Sequence, residues 1–404
     1  MLLTANSILN KALEGIRITE DEALNLFYSA SSLDLAFTAN EIRRRHHPDE
    51  SPTTYVIQRN INYSNVCTAH CSFCAFYTPP GKTHSGSELE SSRFPQAYVL
   101  DYETQIKPKI QELADINGTE ILLQGGHNPS LGLDYYQDLF RQIKKDFPGM
   151  TLHALSPAEI VHIAEKLITP PAQYGDGTIR SKILKPNSDQ IAEVILALKT
   201  AGMDSLPGAG AEILTERVRK IIAPLKITTQ VWLDVMRIAH QQGLRSSATM
   251  MYGHAETYED RVEHFRVLRD LQDQTGGFTA FVSWNFQKGD TPLSKIMSAM
   301  QNQGTLPNYN LESSGDEYLR TTAIARIYLD NFKNFQSSWV TQGHQLGQVS
   351  LAFGANDLGG NMMEENVVSA AGTTHRAGVD EMRFYIQSAG KEPRQRNTAY
   401  ELVD

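Results

Sequence analysis

Cysteine is nearly absent from this chain. Of 404 residues only Cys67, Cys71 and Cys74 are cysteine, and they fall within eight positions. An odd, tightly clustered set excludes a disulfide framework and reads as a metal site. Long apolar runs are also lacking: no stretch approaches the roughly 20 residues that a membrane span needs. The N-terminal segment MLLTANSILNKALEGIRIT has no basic n-region and no continuous apolar core, so it does not read as an export signal. The expected location is therefore the cytoplasm, with no membrane partner. An excess of positive charge is missing too. The net charge is −9, and the one basic patch, Arg43–His47, reads as a solvated helix end. Nucleic-acid binding, which needs a clustered Lys/Arg surface, is not expected. Internal repeats and low-complexity tracts are absent.

What is present is ample core material: 41% of residues are hydrophobic and 21% charged, as in a soluble globular protein. Residues 1–50 carry apolar side chains at helical spacing over Ser7–Ala12, Glu20–Ser29 and Leu33–Arg45, a helical extension. Ser32 with Asp34 offers an N-cap for the third helix. From Tyr55 a strand–helix rhythm begins. The strand candidates are Tyr55–Ile61, Glu120–Gln124, Thr151–Ala154, Ser205–Leu206, Ser246–Met251, Thr279–Trp284, Gln336–Thr341 and, more weakly patterned, Leu351–Gly354. About eight repeats imply parallel strands with right-handed crossovers. A closed (β/α)8 TIM-type barrel over residues 51–385 is the best match, and an open six-stranded partial barrel is second. Thr169–Pro186, rich in Pro and Gly, reads as an inserted loop. Residues 386–404, with Lys391–Arg396, read as an exposed tail.

Polar and glycine-rich residues follow the strands: Gln124–Pro129 (QGGHNP), Ser156–Glu159 (SPAE), Pro207–Glu212 (PGAGAE), Tyr252–Glu256 (YGHAE), Asn285–Thr291 (NFQKGDT) and Ala355–Gly360 (ANDLGG). In a β/α barrel these loops build the active-site face. The cysteine loop, CTAHCSFC, follows the first strand candidate. Thiolates are the usual ligands of iron–sulfur clusters, and a cluster used only for electron transfer takes four. Three would leave one iron open to a substrate or cofactor. The alternative from the residues alone is zinc, with His70 or another histidine as fourth ligand; the chain has no paired CxxC knuckles to support it.

The CTAHCSFC spacing resembles the signature of the radical S-adenosylmethionine (SAM) superfamily. That resemblance implies a 4Fe–4S cluster on Cys67, Cys71 and Cys74. Its open iron would bind SAM, which is cleaved to a 5′-deoxyadenosyl radical. The flanks, Asn62–Cys67 and Cys74–Tyr77, resemble the branch holding the menaquinone futalosine-pathway enzymes and the deazaflavin synthases. The runs ILLQGGHNP, LHALSPAEI, DSLPGAGAEIL, WLDVMRIAH, ATMMYGH and LRDLQDQTGGFTAF, with GANDLGG and Glu364–Glu365, are similar to the futalosine cyclases within it. The likeness covers about residues 35–385. Two departures are the length of the 169–186 loop and QKGD at Gln287–Asp290, where a proline–glycine–asparagine turn is expected.

The resemblance implies dehypoxanthine futalosine as substrate, hydrogen abstraction from its ribose, and carbon–carbon bond formation to its benzoate ring. It also implies an electron donor such as flavodoxin or ferredoxin. Phe73 takes the position near the adenine, Gly125–Gly126 the loop that meets the amino group of SAM, and Glu212 a carboxylate near SAM. Tyr77, Gln124 and Ser156 complete the cofactor candidates. His127, His153, Arg219, His254, Gln287, Asn356 and Asp357 are the candidates for substrate contact or catalysis.

Overall fold

A computed structural model describes residues 4–81, 95–169, 184–310 and 313–403. Most of the expected 169–186 loop lies outside the described residues. Three helices open the chain: α1 (Ala5–Leu13), α2 (Glu20–Ser29) and α3 (Ser32–His46). Thr19 and Glu22 form a reciprocal capping box at α2, which satisfies amides that have no partner within the helix. The cap of α3 is Ser31 rather than Ser32; its hydroxyl accepts from the Asp34 amide at 3.1 Å. Buried Leu26, Phe27 and Leu35 pack these helices against the outside of the barrel.

Ten parallel strands follow: β1 (Thr53–Val56), β2 (Gln58–Ile61), β3 (Glu120–Leu123), β4 (Thr151–Ala154), β5 (Ser205–Leu206), β6 (Arg245–Tyr252), β7 (Phe278–Asn285), β8 (Asn334–Gln336), β9 (Asp357–Gly360) and β10 (Pro393–Gln395). Between and around them lie α4 (Lys107–Asp115), α5 (Leu133–Asp146), α6 (Pro157–Ile168), α7 (Ser188–Ala201), α8 (Glu216–Ile222), α9 (Thr229–Gln241), α10 (Tyr258–Thr275), α11 (Pro292–Asn302), α12 (Gly315–Tyr328), α13 (Trp339–Gln342), α14 (His344–Val349) and α15 (Val379–Ser388). The order β10-β1-β9-β8-β7-β6-β5-β4-β3-β2 curls into a TIM-type barrel. Its seam is the first strand itself. β1 pairs with β9, β2 pairs with β3, and only Ile57 separates the two halves. Past the break, the Gln58 amide donates to the Asn361 side chain at 3.0 Å instead of to a strand.

Period-two alternation sorts the strand faces. Arg59 reaches out to the Lys109 carbonyl on α4, so Gln58 and Asn60 point inward. Phe281 packs outward on Phe265 of α10, so Val282 points inward. Leu122, Ser247, Val282 and Gln336 are only half-buried although they sit mid-sheet, so the interior is hollow rather than filled with side-chain layers. Gly359 and Gly360 make room for it. A Cβ at Gly359 would come within 2.7 Å of Gln336 Nε2, and one at Gly360 within 2.2 Å of Gln58 Nε2.

Four sequence expectations are corrected near the C-terminus. Strand β8 covers Asn334–Gln336, and Trp339 already starts a helix. Leu351 sits in a 3-10 turn, Ser350–Ala352. The GANDLGG run is therefore no rim loop: it is the entry to β9 and β9 itself. Nor are residues 386–404 an exposed tail. β10 pairs with β1, Arg396 is buried, and the Thr398 hydroxyl donates to Glu120 at 2.6 Å. A charged, proline-containing run reads as solvated until its partners are known, and here Arg396 meets a buried acid, Asp357. This segment seals the N-terminal end of the barrel.

Candidate active site

The cysteine loop leaves the C-terminal end of β2 and is pinned from several sides. The Cys67 amide donates to the Thr78 carbonyl and the Thr68 amide to the His127 carbonyl. Ser72 donates through both amide and hydroxyl to the Ile222 carbonyl at the end of α8. His70 adopts φ +48°, a region few non-glycine residues enter, and its ring stacks on Tyr77. Leu155 and Glu212, on neighbouring rim loops, are also left-handed, with φ of +64° and +42°. Such conformations persist where the surroundings over-determine them, as at binding sites.

The glycine pair after β3 lies directly against this loop. A Cβ on Gly126 would stand 2.1 Å from the Val66 carbonyl oxygen and 2.9 Å from Cys67 Cβ. On Gly125 it would strike the Tyr63 ring at 2.6 Å. Beneath the pair sits buried Glu159. Its Oε1 accepts from the Gly125 amide at 3.0 Å and the Tyr63 hydroxyl at 2.8 Å. Burial pushes its carboxyl up to about 7, against these hydrogen bonds. Ser156 caps α6 by accepting from the Glu159 amide.

Lys226 faces the cysteines from the other side. Its Nζ lies 5.5 Å from the centre of the Phe73 ring and 2.7 Å from Glu212 Oε1. Burial opposes the charge, but Glu212 and Cys71 outweigh it and hold the ammonium protonated. The other Glu212 oxygen, Oε2, is buried with no hydrogen bond and lies 3.6 Å from Arg219. Sequence reasoning missed Lys226, which stands beyond α8 in no motif. Glu212 lies on the loop before α8, which begins at Glu216.

Other candidates fall elsewhere. Arg219 spends its donors on the Gly210, Ala211 and Ile227 carbonyls, holding the PGAGAE loop rather than reaching a ligand. His254 is fully buried between the Met251 carbonyl and Glu256. Asn356 accepts from Arg326 and the Phe335 amide, and Asp357 from Arg396 and Thr54. Both stand at the end of the barrel away from the cysteines. All three are corrected to structural positions: Asn356 and Asp357 stand at the entry to β9 rather than after a strand, and His254, although it follows β6, is turned into the protein against the Met251 carbonyl and Glu256. His127 stacks on His162 at 5.1 Å. On the inner wall, Gln124 reaches the Leu155 carbonyl at 3.4 Å, and His153 Nδ1 pairs with the Ser205 hydroxyl at 2.7 Å. Gln287 shares a rim contact with Thr373.

The donor set can be tested for a cluster. Burial pushes the Cys71 thiol up to about 12 and raises Cys67 and Cys74 as well, so a bound cation would favour their thiolate forms. Among the described residues, no three Cys, His, Asp or Glu side chains gather closely enough to hold one metal ion. Zinc needs four ligands on one centre, and the chain has no paired CxxC knuckles to supply them. A cluster, in which each thiolate takes a different iron, suits three cysteines on one loop with no fourth in the chain.

Comparison with known proteins decides the family. Residues 61–268 match the model of the radical SAM superfamily. The chain belongs to the radical SAM superfamily. Residues 275–404 of this radical SAM enzyme match the CofH/MqnC C-terminal region. It is 42% identical to a cyclic dehypoxanthine futalosine synthase of Halalkalibacterium halodurans, covering 99% of this chain and 95% of that one. A Streptomyces coelicolor protein of the same name is also 42% identical, over 98% of this chain and 88% of its own. The 5-amino-6-(D-ribitylamino)uracil–L-tyrosine 4-hydroxyphenyl transferase 1 of Methanosarcina acetivorans is 36% identical, over 98% and 94%. In fold the enzyme resembles methylornithine synthase, with TM-score 0.65, 16% identity and coverage of 96% and 97%. Radical SAM enzymes carry a 4Fe–4S cluster and SAM, and Cys67, Cys71 and Cys74 are the only thiols the chain has for the cluster. Among the described residues no helix is long and apolar enough to cross a membrane.

Proposed function

We propose that this enzyme cyclises dehypoxanthine futalosine in menaquinone synthesis, in the cytoplasm, using electrons from a small donor such as flavodoxin or ferredoxin. The observation that carries the reading is the near-full-length identity, 42% to the two cyclic dehypoxanthine futalosine synthases against 36% to the methanogen transferase. Cluster and SAM, when bound, supply the carbon radical that takes a hydrogen atom from the substrate ribose. The chain's own part is to bind, orient and exclude water. Cys67, Cys71 and Cys74 hold the cluster. Phe73, Tyr77, Gln124, the Gly125–Gly126 backbone, Ser156 and Glu212 with Lys226 form the SAM side. The inward amides Gln58, Asn60 and Gln336 offer hydrogen bonds to a sugar and a benzoate, with His127, His153 and Gln287 around them. The sealed N-terminal end keeps bulk water from the radical. Holding the reacting carbons at near-attack distance is worth more here than acid–base power.

The test is anaerobic incubation of the reconstituted enzyme with SAM, dithionite and dehypoxanthine futalosine, read by mass spectrometry. A product two hydrogens lighter than substrate, with matching 5′-deoxyadenosine, supports the cyclase. Deoxyadenosine without that product moves the enzyme to a sibling reaction.

A further inference from the structure

The adjacent glutamates after β9 point to opposite sides of the barrel wall. Glu364 faces outward, where it accepts from Arg59 at 3.1 Å and Lys109 at 2.5 Å. These two cations hold its carboxyl below the usual range against the pull of burial. Glu365 faces inward. Its Oε1 accepts from the Val367 and Val368 amides at 2.6 and 2.9 Å, and its Oε2 meets only Asn60 Nδ2, at 3.3 Å. Among the described residues, no Lys or Arg forms an ion pair with Glu365, although it is only 6% exposed. Burial raises its carboxyl above the ordinary value.

Asn60 fixes the place. It lies on the inner face of β2, one residue before the strand ends, and the cysteine loop begins just beyond. Asn62 continues the line, donating to the Gln124 carbonyl at 3.2 Å. Glu365 thus ends a ladder of amide side chains on the wall beneath the cysteines. Arg376 acts on it through space, pulling against burial without overcoming it; a buried carboxylate with no directly bonded cation is costly, and one oxygen with a single long hydrogen bond can take a proton. Groups of this kind mark acid–base sites.

We propose that Glu365 is the general base of the cyclisation, an inference that rests on the function proposed above. Once the sugar carbon has bonded to the benzoate ring, the adduct is a delocalised radical. One electron leaves to a one-electron acceptor of the iron–sulfur class. The carbon–hydrogen bond at the attacked ring carbon breaks, its electron pair restores the aromatic ring, and the proton goes to Oε2 of Glu365. The product is then two hydrogens lighter than the substrate, one lost as an atom to deoxyadenosine and one as a proton. Arg59 and Lys109 prevent the neighbouring Glu364 from substituting.

The experiment compares the reconstituted holoenzyme with E365Q and E365D, counting cyclised product per 5′-deoxyadenosine. E365Q should still form deoxyadenosine, with deuterium carried from ribose-labelled substrate, while product per deoxyadenosine drops about a hundredfold; E365D should restore part of it. In the wild type this ratio should fall on acidification, because a protonated Glu365 cannot accept the ring proton, and E365Q should show no such dependence. Infrared difference spectra of the protein alone should show a protonated-carboxyl band that grows as the pH is lowered and that E365Q lacks. An E365Q enzyme that couples as well as wild type overturns the role of Glu365 and leaves the cyclase reading intact. A wild-type enzyme that makes no cyclised product overturns both. If E365Q fails to fold, a wild-type coupling ratio that stays flat with pH overturns the proposal by itself.

Discussion

Arg396 donates to both oxygens of Asp357, Nε to Oδ2 at 2.5 Å and Nη2 to Oδ1 at 3.0 Å, joining the segment after β10 to the start of β9. Asp357 also accepts from the Thr54 hydroxyl on β1 at 2.5 Å. The pair is almost wholly buried, at 3% and 0% exposure. Removing one partner strands a charge, so R396M should cost about 3–5 kcal/mol, read as a lower urea midpoint at unchanged slope. Removing both partners together, in R396M with D357L, should cost less than R396M alone.

Gly126 answers to the cysteine loop. The methyl group of G126A would overlap the Val66 carbonyl and press on Cys67, and both contacts are backbone or its first side-chain atom. The variant should remain folded by circular dichroism yet take up much less iron and sulfide on reconstitution. Overlap at Gly125 meets a tyrosine ring instead, so G125A should disturb packing before it disturbs the cluster.

Glu159 should leave a signature in stability against pH. Its carboxyl keeps a proton to about pH 7 in the fold, and to about 4.5 when ordinary. Between these values the folded state binds more protons than the unfolded. Stability therefore falls as pH rises through the window, and the full penalty, at most about 3 kcal/mol, is present above it. E159Q should lack this slope, gaining on wild type from acid to mildly alkaline solution in paired denaturant titrations.

Lys226 and Glu212 form one unit. K226M would leave the Glu212 carboxylate buried without its ammonium and remove the cation near Phe73 and Cys71. SAM affinity should fall at least tenfold, measured by the change SAM makes in the electron paramagnetic resonance of the reduced cluster. Iron content should stay near wild type, because Lys226 bonds to none of the cysteines.

The barrel was legible in the sequence wherever a strand's pattern was local. Thr151–Ala154 and Ser205–Leu206 were located to the residue, and the cysteine spacing pointed to the superfamily. Legibility failed where burial is polar. Asn356 and Asp357 look like a ligand-binding loop because Asn, Asp and Gly favour turns; in the structure they serve Arg326 and Arg396, partners that lie 30 and 39 positions away. Lys226 has no local mark, and Glu159, although it ends the SPAE run, acquires its role only from Gly125 and Tyr63 on other loops.

The seam at Ile57 has a consequence in time. The first strand emerges early, yet Thr54 waits for Asp357, 303 residues later, and β10 comes later still. A chain on the ribosome already owns its cysteine loop while its barrel is ajar. Such late closure slows folding, and it also leaves an interval in which the thiols are reachable before the mouth beneath them is corked.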